Sequence, residues 1–305
     1  MRRLRSDLIP LAAAALLIAT AAWAGAKDPP KRIISHLPSV TEVCYALGLG
    51  DRLIGVSDFC HYPPEAIKKT RVGGMMNPDF ETILSLKPDL AILMENQGEL
   101  IARYKAAGIE VLAIKSDTVE QVYASIVAIG KAAGVSESAE GLVAKIRASL
   151  EEVRRATRDR PPVRTLLVIW HDPGSLQNLY VAGAGTFLDT LLGTAGGTNC
   201  LPELAAPFAK VSKEEILKQN PRAVLYVTSN EALGTAEQVA RERQAWSSLK
   251  WLSAVKTGDI HVIAAEYAHT PGPRMVRIAR SMARALHPDL FPGQEPNRPA
   301  NEGNY

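Results

Sequence analysis

The sequence predicts an α/β chain of two Rossmann-like lobes with central parallel sheets, joined by one long rigid α-helix. Three observations predict it. Short β-branched runs alternate with helical stretches, a Glu-x-Ile-Leu-x-x-x-Pro motif recurs at an offset of 133 residues, and one unbroken amphipathic stretch separates the halves. A length of 305 residues is also more than a single hydrophobic core usually serves.

The first segment is a targeting signal by its pattern. Arg2, Arg3 and Arg5 precede a largely apolar stretch from Leu8 to Ala22, and Ala22-Trp23-Ala24 is the small-x-small sequence that signal peptidase accepts. Residues 1–24 are expected to be removed on export, with the mature chain starting at Gly25, or at Lys27 if Ala24-Gly25-Ala26 is the cleaved pattern. Pro10 and the shortness of the stretch argue against an anchoring span. No Cys follows to accept a lipid, so a soluble exported protein is expected.

The N-terminal lobe, 31–135, carries strands at Arg32–Ser35, Leu53–Ser57, Leu90–Leu93 and Val111–Ile114. Helices are expected at Thr41–Leu47, Asp79–Leu86, Gln97–Ala107 and Val119–Ala133. In the connecting segment, 136–160, Ala139, Leu142, Val143, Ile146, Leu150 and Val153 trace one helical face. Ser136 is placed to cap its start, Arg154, Arg155 and Arg158 suit its carboxyl end, and Pro161-Pro162 stops it. At about 1.5 Å per residue this helix is a stiff strut of about 34 Å. The C-terminal lobe, 161–290, carries strands at Thr165–Trp170, Val224–Thr228 and His261–Ala264. Residues 291–305 are rich in Pro, Asn, Gly and Glu without apolar periodicity, so a disordered tail is expected.

Composition narrows the function. With 47% hydrophobic, 22% charged and 6% aromatic residues, the chain is not a coiled coil, a collagen, a disordered polymer or a bundle of membrane spans. Of the net charge of +3, Arg2, Arg3, Arg5 and Asp7 contribute +2 in the segment to be removed. The remaining +1 makes no electrostatic case for nucleic acid. There is no Gly-x-Ser-x-Gly elbow, His-Glu-x-x-His or P-loop, and Gly48-Leu49-Gly50 follows a helix, so no enzyme is expected. The three cysteines form no C-x-x-C pair. Cys44 reads as a buried small hydrophobe, and a Cys60–Cys200 disulfide stays open.

The repeat is the most informative feature. Glu81-Thr82-Ile83-Leu84 with Pro88 matches Glu214-Glu215-Ile216-Leu217 with Pro221, one copy per lobe, each before an apolar strand. The prolines end a helix and start the approach to a strand. An acidic residue in a helical first turn gains from the macrodipole, so two similar helix starts are one reading. The other is a pair of exposed carboxylates held apart by the strut to meet a two-fold symmetric basic partner.

These residues also resemble a known class. Arg32-Ile33-Ile34-Ser35, Pro38-Ser39-Val40-Thr41-Glu42, Asp58-Phe59-Cys60-His61-Tyr62-Pro63-Pro64, Val72-Gly73-Gly74, Asn77-Pro78, Gly196-Gly197-Thr198-Asn199 and Pro271-Gly272-Pro273-Arg274 are similar to the helical-backbone class of periplasmic substrate-binding proteins. That class serves ABC importers of cobalamin, ferric siderophores and haem. The resemblance implies a ligand cleft between the lobes, a periplasmic monomer, no intrinsic cofactor, and docking to a permease dimer through Glu81 and Glu214. The Asp58–Pro64 segment and Trp170 with Asp172-Pro173 look most like the cobalamin-binding branch, implying a corrinoid ligand, with ferric siderophore or haem as the alternative. The expected ligand-binding residues are Phe59, His61, Tyr62, Met75, Trp170, His171, Phe208, Glu266 and Tyr267; Met75 stands where some cobalamin binders place an aromatic. Loops at the carboxyl ends of parallel strands suit such a ligand. Of the cleft histidines His36, His61, His171 and His269, the first choices for an axial metal ligand are His61 and His171. A receptor for bare zinc or manganese, using His36, His61, His171 and Glu266, is the third reading.

Overall fold

The computed structural model describes residues 28–204 and 206–292. The expected export signal, and the expected tail from 293 onward, lie outside the described residues.

The first lobe is built from β1 (Ile33–Ser35), α1 (Pro38–Ala46), β2 (Leu53–Val56), β3 (Thr70–Arg71), α2 (Phe80–Ser85), β4 (Leu90–Met94), α3 (Gly98–Ala106), β5 (Glu110–Ile114) and α4 (Val119–Ala132). Its strands form one parallel sheet in the order β3-β2-β1-β4-β5. Successive residues face opposite sides: Ile33 and Ile92 pack with α1 and α4, whereas Ile34, Ala91 and Leu93 pack with Ile83 of α2 and Leu100 and Tyr104 of α3. Covering on both faces is why these strands read as unbroken apolar runs. The four expected strands are present; β3 has two residues, too few for any periodicity.

The connector α5 (Ser136–Thr157) buries Ala139, Leu142, Ile146, Leu150 and Val153, the face read from the spacing. Ser136 does not cap it. Val135 holds the cap position without a side-chain bond, because the chain turns straight out of α4 through Gly134 at φ +72°, and the Val135 N–H donates to the Gly130 carbonyl at 2.7 Å. A Cβ on Gly130 would lie 2.3 Å from that of Ala139, so glycine there lets the two helices approach closely.

The second lobe follows with β6 (Val163–Trp170), β7 (Tyr180–Ala182), α6 (Phe187–Thr194), β8 (Gly197–Asn199), β9 (Phe208–Lys210), α7 (Lys213–Gln219), β10 (Ala223–Thr228), α8 (Ala236–Trp246), α9 (Ser253–Thr257), β11 (Ile260–Ala264) and α10 (Met275–Leu286). The sheet order is β11-β10-β6-β7-β9, with β8 beside β6. β6, β10 and β11 are parallel, as expected. β7 runs antiparallel to both β6 and β9, so this sheet is mixed.

The lobes share a core. One cluster joins Val40 and Ile126 to Leu142 and Ile146 of α5, Leu188 and Leu191 of α6, Ile278 and Met282 of α10, and Leu167, Leu225 and Ile263 of the second sheet. The connector is therefore a packed element between two sheets, stiffened by burial on its flanks. Two polar contacts also cross the joint. The Phe187 N–H donates to the Asp117 carbonyl at 2.7 Å, and the buried Arg274 guanidinium donates to Glu42 of α1 through Nε at 3.0 Å and Nη2 at 2.6 Å. Cys44, Cys60 and Cys200 are all free and buried, so the Cys60–Cys200 disulfide does not form. Cys60 lies in the first lobe, where it accepts the Thr41 hydroxyl at 3.1 Å, and Cys200 belongs to the second, its N–H on the Thr165 carbonyl.

Removing one partner of a buried ion pair strands the other. Arg274→Ala is expected to lower the unfolding free energy by about 3–5 kcal/mol in denaturant titrations. The apolar pair Arg274→Met with Glu42→Leu should regain most of it. A mild single variant would mean that the apolar core alone sets the lobe arrangement.

Candidate functional site

The loops that leave the carboxyl ends of the two sheets meet at Arg274. Its guanidinium carbon lies 3.7 Å from the Tyr62 ring centroid and 4.7 Å from that of Tyr267, and its Nη1 donates to Glu266 at 2.5 Å. Burial disfavours the charge, but the hydrogen bonds and charges of Glu42 and Glu266 outweigh it and hold Arg274 above its usual range. Tyr62, Glu266 and Tyr267, three of the expected ligand residues, thus converge on one buried cation at the seam between the lobes.

On the first-lobe side, Arg71 Nη1 donates to the carbonyls of Ser57 and Cys60, both at 2.8 Å, and fixes the loop after β2. That loop presents Phe59, which is 64% exposed. The ring rests on Gly74, where a Cβ would lie 3.0 Å from it. Gly73 adopts φ +79° and a Cβ there would sit 2.4 Å from the Asn77 carbonyl, so only glycine closes this turn. The same turn carries Met75 and Met76, both exposed. On the second-lobe side, strand pairing sets Trp170 opposite Tyr180, their rings edge to face with centroids 6.0 Å apart. Phe208 is exposed on the edge strand, opposite Ala182.

The histidines divide. His61 is exposed. His171, which follows Trp170, is buried, with Nδ1–H donating to the Asp172 carbonyl at 2.9 Å and Nε2 2.8 Å from a Glu242 carboxylate oxygen. Glu242 also accepts the Trp246 indole N–H at 2.9 Å. Burial alone would lower the His171 pKa, yet the Glu242 and Asp172 hydrogen bonds leave it raised. Both ring nitrogens are thus engaged by protein partners, and the ring packs against Tyr226 with centroids 4.8 Å apart. His36 is buried too, its Nε2 2.5 Å from the Tyr104 hydroxyl, and burial pulls it down to about 4. His269 bonds the Val227 carbonyl at 2.9 Å. Among the described residues no three His, Cys, Asp or Glu side chains come together as a metal site, so His36, His61, His171 and Glu266 do not form the set a bare-ion receptor needs.

Glu81 and Glu214 are both exposed, each the second residue of a short helix. Asp79 caps α2 by accepting the Thr82 N–H at 3.0 Å, and Ser212 caps α7 by accepting that of Glu215 at 3.1 Å. The Glu214 backbone N–H and the Ser212 hydroxyl hold the Glu214 carboxyl below its usual range. The Glu42–Arg274 pair and the His171–Glu242–Trp246 chain were missed from sequence; the one available signal was Pro271-Gly272-Pro273-Arg274, whose Gly272 approaches Ser39.

Residues 33–267 match the periplasmic binding protein family, and the chain belongs to it. It is 30% identical over 273 residues to the uncharacterized ABC transporter substrate-binding lipoprotein YvrC of Bacillus subtilis, covering 87% of this chain and 82% of that one. It is 27% identical over 269 residues to a vitamin B12-binding protein of Vibrio cholerae, covering 88% and 93%. Its fold matches a periplasmic haem-binding protein from Pseudomonas aeruginosa with a TM-score of 0.73 at 25% identity, covering 88% and 96%.

His36 yields a pH test. Its folded value of about 4 lies below the ordinary 6.5, so the unfolded chain binds more protons between those values and stability falls as pH drops through that window. The His36 share is about 3 kcal/mol at about 1.36 kcal/mol per unit. His36→Gln should flatten the stability profile there by that amount, read from denaturant titrations across the window. An unchanged slope would assign the acid sensitivity to other groups.

Proposed function

We propose that the chain captures a flat metal chelate, a corrinoid of the cobalamin type, between its lobes and delivers it in the periplasm to an ABC import permease. The observation that carries the reading is the set of aromatic side chains left exposed on both sides of the seam, Phe59 on one lobe and Trp170, Tyr180 and Phe208 on the other. Exposed rings grouped in this way offer apolar faces for a planar ligand to cover. Tyr62, Glu266 and Tyr267 around Arg274 make a rigid polar floor for the ligand rim. The likeness to a vitamin B12-binding protein supports this ligand. A haem reading comes second, favoured by the exposed His61 imidazole and the exposed Met75 and Met76 thioethers as ligands for iron. Export as a monomer, and docking through Glu81 and Glu214 on a basic permease surface, belong to the same proposal.

Cyanocobalamin, haem and a ferric hydroxamate, each mixed with the purified chain and passed over a desalting column, test the ligand by absorption. Retention of the corrinoid at one to one is expected, and Phe59→Ala or Trp170→Ala should each weaken it about tenfold without lowering the thermal midpoint. Retention of haem alone, with a Soret shift lost in His61→Ala, would replace the corrinoid reading. For docking, Glu81→Ala with Glu214→Ala should keep ligand affinity and lose stimulation of the importer's ATPase. Full stimulation would reduce the pair to helix-end chemistry.

A further inference from the structure

We infer that each lobe docks through a carboxylate and leucine couple, Glu81 with Leu84 and Glu214 with Leu217, shaped for a two-fold partner that offers a basic side chain beside an apolar recess at two equivalent places. This rests on the docking reading above.

Aligned over the two helices, the repeat keeps four residue types: Glu81 and Glu214, Ile83 and Ile216, Leu84 and Leu217, Pro88 and Pro221. Folding accounts for two of them. Ile83 and Ile216 are fully buried, each in its lobe's outer core. Pro88 and Pro221 follow Lys87 and Asn220, whose left-handed φ values of 46° and 44° turn the chain away from the helices. Folding does not account for the other two. Glu81 and Glu214 are exposed, and so are Leu84 at 49% and Leu217 at 39%.

A lone exposed leucine is ordinary. Here the exposure recurs at matched positions of two helices that are each capped by a side chain, share a buried isoleucine and are followed by a left-handed residue before the proline. The intervening exposed or half-exposed positions differ, Thr82 against Glu215 and Ser85 against Lys218. Glu and Leu three apart share a helix face, with Cβ atoms about 5–6 Å from each other. Over these two helices, the exposed residues in common are thus one carboxylate and one adjoining apolar side chain. A partner matched to both must repeat a cationic group and an apolar recess about a two-fold axis. Val127, also exposed, has no such counterpart: position 260, at the same offset, is the buried Ile260 of β11.

The test is binding of the chain to the importer of its own source, permease dimer with ATPase subunits, in nanodiscs at about 50 mM and about 500 mM salt. Leu84→Ser with Leu217→Ser should weaken binding about tenfold at both salt concentrations. The loss from Glu81→Ala with Glu214→Ala should shrink as salt rises. Leu84→Met with Leu217→Met should bind as the native chain does, Val127→Ser should be neutral, and thermal midpoints should hold throughout. Native binding by the serine pair, with the alanine pair impaired, overturns the leucine role and leaves the docking reading standing. Native binding by both pairs overturns the docking reading and this inference together.

Discussion

A guanidinium taken out of water must be met by carboxylates, and Arg274 finds one of its two, Glu42, in the other lobe, 232 residues away in sequence. The lobes cannot part at this seam without baring a buried charge on each side. Separation would also open the apolar core that runs through α5 from one sheet to the other. Polar and apolar terms therefore oppose the same motion. The polar term sets the angle, because a bidentate contact tolerates little misalignment, while the apolar term supplies most of the free energy.

A cleft held this way is preformed, and its aromatic rim is held open to water before any ligand arrives. The supporting groups show how that is done. Gly73 and Gly74 bring a turn up against Phe59, strand pairing sets Trp170 against Tyr180, and Glu242 ties His171, the residue after Trp170, to Trp246. Each device lowers the conformational freedom that binding would otherwise remove. His171 is itself held in place, with a partner on each ring nitrogen.

What could be read from the chain follows the range of the interactions. The strands β1, β2, β4, β5, β6, β10 and β11 and the buried face of α5 were legible because each signals itself within a few residues. β7, β8 and β9 have three residues each and carry no period to detect. The missing Ser136 cap belongs to the intermediate range, since the turn at Gly134 decides it. The tethering of His171 depends on Glu242, 71 residues on, and the separation of Cys60 from Cys200 on the placing of whole lobes. The repeat was the exception, a long-range feature legible because it is written twice.

Rigidity also bears on how a partner would sense the ligand. The helices α2 and α7 hang on the outer cores of their lobes, whose relative position is set by Arg274 and the shared core. Under the proposed function, a rigid joint would keep the spacing of Glu81 and Glu214 the same when the cleft is filled. A partner that recognises both cannot distinguish loaded from empty chains by that spacing alone. Under the proposed function, the distinction must come from the surface between the helices, where the aromatic rim is either open or covered. Docking and ligand sensing are then separable, the first written in the repeat and the second in the loops at the strand ends.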